Sequence, residues 1–534
     1  MDGGATFNFA RDVFDAHDPA WPAMLWVDDA GAERRLPFAH FGDRSRRLAL
    51  ALGARGLSPG ATVLLLLPRV PAWWEGLLAC LRGGFVAAPG TLQLTARDLA
   101  FRLPLCEAEA VITDAEGAPR IDEAERLCGR RLRCRLIAGG SRPGWEPLDE
   151  AVAGVPAAEA AAFTSAGTRA DSRALLFFTS GTTGPPKMAL HTQASYGLGH
   201  RVTAEWWLGL QRDDLHWNLS DTGWAKAAWS SFFSPWITGC TLFVHHAPRF
   251  SARRTLELLA AHPVTTLCGA PTNWRLLIQE DLSALRCPSL RSCTAAGEPM
   301  NPEVIAVWRR ATGLTIRDGY GQTETVLAIG NPPGRAVNPG SMGIASPAFE
   351  VALLDGQLRR VPSGTEGEVA LRAQPRPLAL FAGYWKDEER TAAVLRDGWY
   401  LTGDRALVDA DGDYWFVGRA DDVIKSAGYR IGPFEVESAL LEHADVVESA
   451  VVGVPDALRG QIVKAFVVLT PGAAARLASG GAVARDALVA ELQAFVQQRT
   501  APYKYPREIE FTAELPKTVS GKIRRVELRG RPAD

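Results

Sequence analysis

No Cys-x-x-Cys pair occurs among the eight cysteines, Cys80, Cys106, Cys128, Cys134, Cys240, Cys268, Cys287 and Cys293, and none follows Cys293. That spacing argues against a zinc ribbon and offers no disulfide framework, so reduced thiols of a cytoplasmic protein fit it best. Long apolar runs are missing as well. The most apolar short stretch, Val63 to Leu67, is stopped by Pro68 and Arg69, far short of the ~18 residues that cross a bilayer, and no membrane span is expected. The opening residues, MDGGATFNFARD, have neither a basic start before an apolar core nor an Arg/Ser-rich leader free of acids, so no export or organelle signal is expected. Charge of one sign is absent too. Lys and Arg number 58 against 60 Asp and Glu, a formal net charge of -2, which gives no global pull toward nucleic acid or an anionic membrane. The partners implied are small molecules.

What is present begins with length. A chain of 534 residues is too long for one hydrophobic core, so several packed units are expected. From residue 61, short apolar runs alternate with helix-length amphipathic segments: ATVLLLLP, PAWWEGLLACLRGG, GFVAAPG, LTARDLAFRL and AEAVITD. The order resumes at RALLFFTSG and runs to LTIRDGYG. It predicts an α/β fold with parallel-rich sheets flanked by helices. Beyond about residue 350 the texture changes to short alternating strands with many turns, VALLDG, GTEGEVALR, WYLTGD and GDYWFVGR. These predict a small β-rich subdomain at about 350–418, closing an N-terminal unit of 1–420. Residues 421–534 read as a separate α+β unit, in which the Ala/Gly-rich PGAAARLASGGAVA is expected to be a tolerated surface insertion.

Four motifs carry chemistry. After the apolar strand Ala174 to Phe178 come Thr179, Ser180, Gly181, Thr182, Thr183, Gly184, Pro185, Pro186 and Lys187. Glycines let backbone N–H groups approach a polyphosphate, hydroxyls donate further hydrogen bonds, and the lysine adds positive charge. This is not a Walker A loop, because Gly181 and Gly184 stand too close together and Met188 follows Lys187,. In Asp318-Gly319-Tyr320-Gly321-Gln322-Thr323-Glu324, the tyrosine can stack on a purine, the threonine can touch phosphate and Glu324 can hold Mg²⁺. Tyr400-Leu401-Thr402-Gly403-Asp404 puts a carboxylate on a tight turn, suited to the two hydroxyls of a ribose. Finally, Pro516-Lys517-Thr518-Val519-Ser520-Gly521-Lys522 places a lysine after a glycine turn, where it could reach a phosphoryl group in another unit.

Taken in order, TSGTTGPPK, DGYGQTE, YLTGD, GRADDVIKSAGYRIGPFEVE and PKTVSGKIRR resemble the adenylate-forming superfamily of acyl-CoA synthetases, luciferases and peptide-synthetase adenylation domains. FNFARDV, LPRVPAWW, PGTLQL, NLSDTGW, GAPTNWRLL and TAPYKYPREIEF are similar to the medium-chain acyl-CoA synthetase family. The resemblance implies an enzyme that uses ATP, Mg²⁺ and coenzyme A to turn a carboxylic acid, medium-chain fatty or aryl, into its acyl-CoA thioester. It implies that residues 179–187 wrap the β- and γ-phosphates and that Gly297, Glu298 and Pro299 line the adenine with Tyr320. Thr323 and Glu324 would meet phosphate and Mg²⁺, Asp404 would hold the ribose with Arg419 nearby, and Lys522 would bridge the carboxylate and the α-phosphate. For coenzyme A the matching positions are Gln93, Ala427, Gly428, Tyr429, Arg459, Tyr505, Pro506 and Arg507, with Arg430 beside the acyl or pantetheine path. Ala427 stands where a serine is often seen, so a hydroxyl contact to coenzyme A is lost there. The resemblance also implies that 421–534 is a mobile lid swinging about Asp421, with Lys522 serving adenylation and the Ala427 to Arg430 face serving thioester formation.

For the acid, candidate walls are Trp224, Cys268 to Pro271, Ala295, Ala296 and Val326 to Ala328, whose aromatic and apolar character suits an aliphatic or aryl acid. Other readings stay open: a ligase loading the phosphopantetheine of a carrier protein, a short-chain ligase for acetate, propionate or butyrate, a luciferase-like monooxygenase, and a non-catalytic binder on the same fold. His245 and His246 have no spaced carboxylate partner and are assigned no metal. Oligomeric state is left open.

Overall fold

The run Thr62–Leu66 forms a strand in which every residue is buried, as a strand covered on both faces requires. Its parallel neighbours are Val86–Pro89 and Ala108–Asp114. The helix between, Pro71–Gly83, starts on a proline and ends at Gly84, whose φ is +71°. Proline is already set for a first turn, and glycine takes the left-handed cap without a Cβ clash. In this computed structural model the described residues are 5–179, 187–420, 422–427, 429–456, 458–517 and 523–529.

Two large sheets carry the N-terminal part. One runs Gly383–Tyr384, Lys187–Thr192, Arg173–Thr179, Val86–Pro89, Thr62–Leu66, Ala108–Asp114, Cys134–Ala138, Glu146–Pro147. The other runs from Ile344–Ala345 through Leu327–Gly330, Ile316–Gly321, Ser292–Ala296, Thr266–Gly269, Leu215–Asn218 and Thr241–His246 to Pro22–Asp28 and Glu33–Pro37. Their interiors are parallel and antiparallel pairs occur only toward the ends. The strand Pro22–Asp28 pairs with Thr241–His246, so the start of the chain completes a sheet built mostly from residues beyond 200. Val63 and Leu65 of one sheet share a core with Leu242 and Val244 of the other, filled by Trp73, Trp74, Phe232 and Trp236. A helical layer between the sheets therefore holds the two together. Two π-helical turns lie in the segment leading through it, Thr203–Leu208 and Trp229–Phe233.

Val351–Leu354, Gly367–Arg372, Trp399–Val408 and Tyr414–Arg419 pair antiparallel in a separate sheet, the β-rich texture expected over about 350–418. The C-terminal part is α+β. Its strands are Ile424–Ser426, Tyr429–Ile431, Val446–Asp456, Gly460–Leu469 and Glu508–Phe511, and its helices include Pro433–Leu441 and Pro471–Arg499. The Ala/Gly stretch, expected to be a surface insertion, forms the first half of the helix Pro471–Arg499, capped by Thr470 and broken at Gly481, whose φ is +61°. Alanine is the best helix former, and that preference outweighs the scattered glycines. No helix among the described residues is long and apolar enough to cross a membrane.

Candidate active site

Strand ends of both large sheets, the β-rich sheet and a face of the C-terminal part enclose a cavity of about 950 Å³. At one side the antiparallel strands Arg173–Thr179 and Lys187–Thr192 put Thr179 opposite Lys187, and both line the cavity. Ser180, Gly181, Thr182, Thr183 and Gly184 lie outside the described residues. The Lys187 ammonium stands 5.3 Å from the centre of the Tyr384 ring, and the Tyr384 hydroxyl donates to Glu324 Oε1 at 2.7 Å. Burial and the neighbouring Glu324 carboxylate raise the Tyr384 pKa, which keeps it a donor. Glu324 is further fixed through its carbonyl, which accepts from Phe381 N–H. Thr323 is held in the same way: its carbonyl accepts from His191 Nε2 at 2.7 Å. Burial brings His191 down to about 4, so the ring is neutral and that Nε2 carries the proton.

A second network holds a carboxylate at the β-rich side. Asp404 Oδ2 accepts from the Tyr320 hydroxyl and from Gln322 Nε2, each at 2.6 Å, and Gln322 Oε1 accepts from Tyr400 at 2.7 Å. The preceding Gly403 has a φ of +73°, the left-handed turn that aims Asp404 inward. Arg419 is its partner across the strand pair and lines the cavity with it. Gly297, with a φ of +108° and open space where a Cβ would stand, lines the wall with Glu298, Pro299 and Gly321. Glu298 accepts from Thr272 and Arg275. Asp318 has a different duty from its neighbours. Its carboxyl accepts from the backbone N–H groups of Met300 and Gly319, pinning the ends of adjacent strands together, and burial pushes it up to about 8.

Among the described residues, those matched to coenzyme A do not join this cavity. Gln93 is exposed in the loop after Val86–Pro89. Ala427, at a φ of +50°, donates its N–H to the Arg459 carbonyl at 2.8 Å. Tyr429 stacks on Tyr503 at 4.2 Å, Arg507 lies over Tyr505 at 4.9 Å, and the Pro506 carbonyl accepts from Gln493. Gly428 and the Arg430 side chain lie outside the described residues. The C-terminal part turns other residues to the cavity, among them Lys517, Ile523, Arg524 and Arg525. Lys517 pairs with Glu448 at 2.7 Å, Arg525 pairs with Glu437 at 2.7 Å, and Asp422 is bound by Arg525 and Arg529. Lys522 and Asp421 lie outside the described residues. The two residues flanking the lysine's segment, Lys517 and Ile523, form an antiparallel bridge and both reach the cavity.

Residues 12–385 match the family model of the AMP-binding enzyme, and 435–522 that of the AMP-binding enzyme C-terminal domain. The chain belongs to the AMP-binding enzyme family. It is 47% identical to the mouse (Mus musculus) acyl-coenzyme A synthetase ACSM3, mitochondrial, over 98% of this chain and 90% of that protein. It is 46% identical to the human acyl-coenzyme A synthetase ACSM5, mitochondrial, with the same coverage. Among solved structures, a benzoate CoA ligase from Burkholderia xenovorans superposes with a TM-score of 0.85 at 29% identity, covering 98% of this chain and 100% of that one.

The expectation of a cytoplasmic location is overturned by these relatives, both of which are named as mitochondrial. Reduced thiols report a reducing compartment and do not distinguish one such compartment from another.

The candidate walls for the acid divide between cavity and core in this AMP-binding enzyme. Trp224, Ala270, Ala296, Val326 and Leu327 line the cavity as expected. Ala295 instead packs into a core, its strand neighbour Ala296 taking the cavity side,, and Cys268 and Ala328 pack into cores as well. His200, Thr203, Trp207 and Trp229 line the cavity and were not singled out at all. Their signal was the spacing of 200, 203 and 207, which puts the three on one helical face.

Proposed function

We propose that the protein is an AMP-forming acyl-CoA ligase that converts a medium-chain fatty or aryl acid to its acyl-CoA through an acyl-adenylate. The observation that carries this reading is the placement of two fixed carboxylates in one cavity: Asp404, held by Tyr320 and Gln322, and Glu324, held by Tyr384 beside Lys187. Asp404 suits the ribose hydroxyls, with Arg419 alongside and Gly297 to Pro299 toward the adenine. Thr179, Lys187 and Thr323 suit the phosphates.

Glu324 fits Mg²⁺: it is a single carboxylate beside a phosphate-binding wall, and this metal is commonly held by one or two carboxylates together with substrate phosphates. Bound there, Mg²⁺ would neutralise phosphate charge. The chain's own residues do the rest. The substrate carboxylate attacks the α-phosphorus and pyrophosphate leaves, with Lys522 holding the two reacting groups together, so catalysis is by positioning and charge neutralisation. The coenzyme A thiol then attacks the acyl carbonyl and AMP departs. For that second step the lid at 421–534 turns about Asp421 and brings Ala427 to Arg430, Arg459 and Tyr505 to Arg507 to the cavity in place of Lys517 and Arg524.

A screen of pyrophosphate release over straight-chain acids of two to twelve carbons and benzoate tests the reading. Release with middle-length or aryl acids is the result expected. Activity confined to acetate would overturn the substrate class.

A further inference from the structure

The wall built from His200, Thr203, Trp207 and Trp229 contains a polar atom that none of the nucleotide-directed motifs uses. His200 is 1% exposed. Its ring stacks on Trp229 at 6.1 Å with 15° between the planes and meets Tyr196 edge-on at 4.3 Å. Its Nδ1 lies 3.0 Å from Thr203 Oγ1. Its Nε2 is buried with no hydrogen-bond partner among the described residues. The neighbours do not supply one: the Trp207 indole N–H is committed to the Asp318 carbonyl at 3.2 Å, and Trp229 offers its ring face. Thr203 and Trp207 sit in one π-helical turn and Trp229 begins the other, a geometry that re-aims side chains and recurs at functional sites. Burial holds the imidazole well below its ordinary pKa, so the ring is neutral. A buried nitrogen left without a partner destabilises the fold unless a ligand satisfies it.

We infer that His200 Nε2 takes a hydroxyl group of the acid, so that this enzyme's preferred substrates are hydroxylated acids. The inference rests on the ligase reading above. A hydroxyl is the matching group for three reasons. It both donates and accepts, so it satisfies Nε2 in either tautomer of the neutral ring. It is small enough to enter a wall of tryptophans without displacing them. It also brings no charge into surroundings of two indoles and a neutral imidazole, where a second carboxylate or an ammonium would be left uncompensated. Thr203, bonded to Nδ1, acts as the positioning residue that fixes the ring.

The test is pyrophosphate release by the full-length enzyme with matched pairs, hexanoate against 6-hydroxyhexanoate and benzoate against each of its three monohydroxy derivatives. The expected result is a hydroxylated acid preferred over its parent by at least about tenfold in kcat/KM, since a site built to bond a hydroxyl discriminates against the analogue lacking it. In His200→Leu that ratio should fall to one or below. Parents preferred in every pair, or a ratio unchanged in His200→Leu, would overturn the inference. The wild-type ratios decide the matter even if the variant does not fold. Absence of release with every acid is a separate result, and it removes the ligase reading itself.

Discussion

The N-terminal and C-terminal walls of the cavity are built by opposite means. The N-terminal wall is a set of short, neutral or charge-assisted hydrogen bonds between strand ends: Tyr320 and Gln322 to Asp404, Tyr400 to Gln322, Tyr384 to Glu324. The C-terminal wall is a set of ion pairs, Lys517 with Glu448 and Arg525 with Glu437 and Asp422, all within the C-terminal part. Hydrogen bonds across rigid strand ends fix groups for one arrangement. Ion pairs internal to one part brace its surface without tying it to the other, as the proposed exchange of that surface requires. In the proposed function, nucleotide binding falls to the hydrogen-bonded wall and the choice of half-reaction to the ion-paired one.

The largest effect is expected from the ion-paired wall. Lys522→Ala should cut acyl-adenylate formation by about a thousandfold, on the order of what a lost charge-stabilising donor removes, while thioester formation from supplied acyl-adenylate largely survives. Equal losses in the two half-reactions would erase the distinction between the walls. Next comes the hydrogen-bonded wall: Asp404→Ala should raise the KM for ATP and cost about a hundredfold in kcat/KM, roughly two charge-assisted hydrogen bonds, in every assay that needs ATP. A loss confined to the coenzyme A step would contradict the ribose assignment.

Arg525→Met, which leaves Glu437 and Asp422 with less compensation, should destabilise the C-terminal part by about 2 kcal/mol. Hydrogen exchange should show that loosening in the strands Val446–Asp456 and Gly460–Leu469 and leave the two large sheets protected. Loosening of both parts together would show that the cluster ties them. The smallest effect concerns pH. Burial depresses His191 and His216 to about 4, so the folded state holds them neutral while the unfolded chain takes up protons below about 6.5. Stability is therefore complete above that value and falls as pH drops toward 4, by about 1 kcal/mol between pH 7 and 6 for the pair. A denaturant midpoint unchanged between pH 7 and 5 would contradict this.

The hydrogen-bonded wall was the more legible of the two in sequence, because its chemistry comes in contiguous runs. Asp318 to Glu324 is one strand end and the turn after it, and Tyr400 to Asp404 is one turn, so spacing alone puts their groups together. The acid wall was read only in part. Its residues come from several separate segments, and only the spacing of His200, Thr203 and Trp207 leaves a local signal of a shared face. The pairing of Pro22–Asp28 with Thr241–His246 was invisible for another reason: nothing local records a neighbour more than 200 residues away. The residues matched to coenzyme A are recognisable by motif, but how far they stand from the cavity is a matter of how the C-terminal part packs, which no residue pattern encodes.

The central claim is that the carboxylate itself attacks the α-phosphorus of ATP. Turnover of a ¹⁸O-labelled carboxylic acid with ATP and coenzyme A, followed by mass spectrometry of the products, tests it most directly. One ¹⁸O should appear in AMP, with pyrophosphate unlabelled. Label in inorganic phosphate alongside ADP, or no label in any phosphorus product, would contradict it.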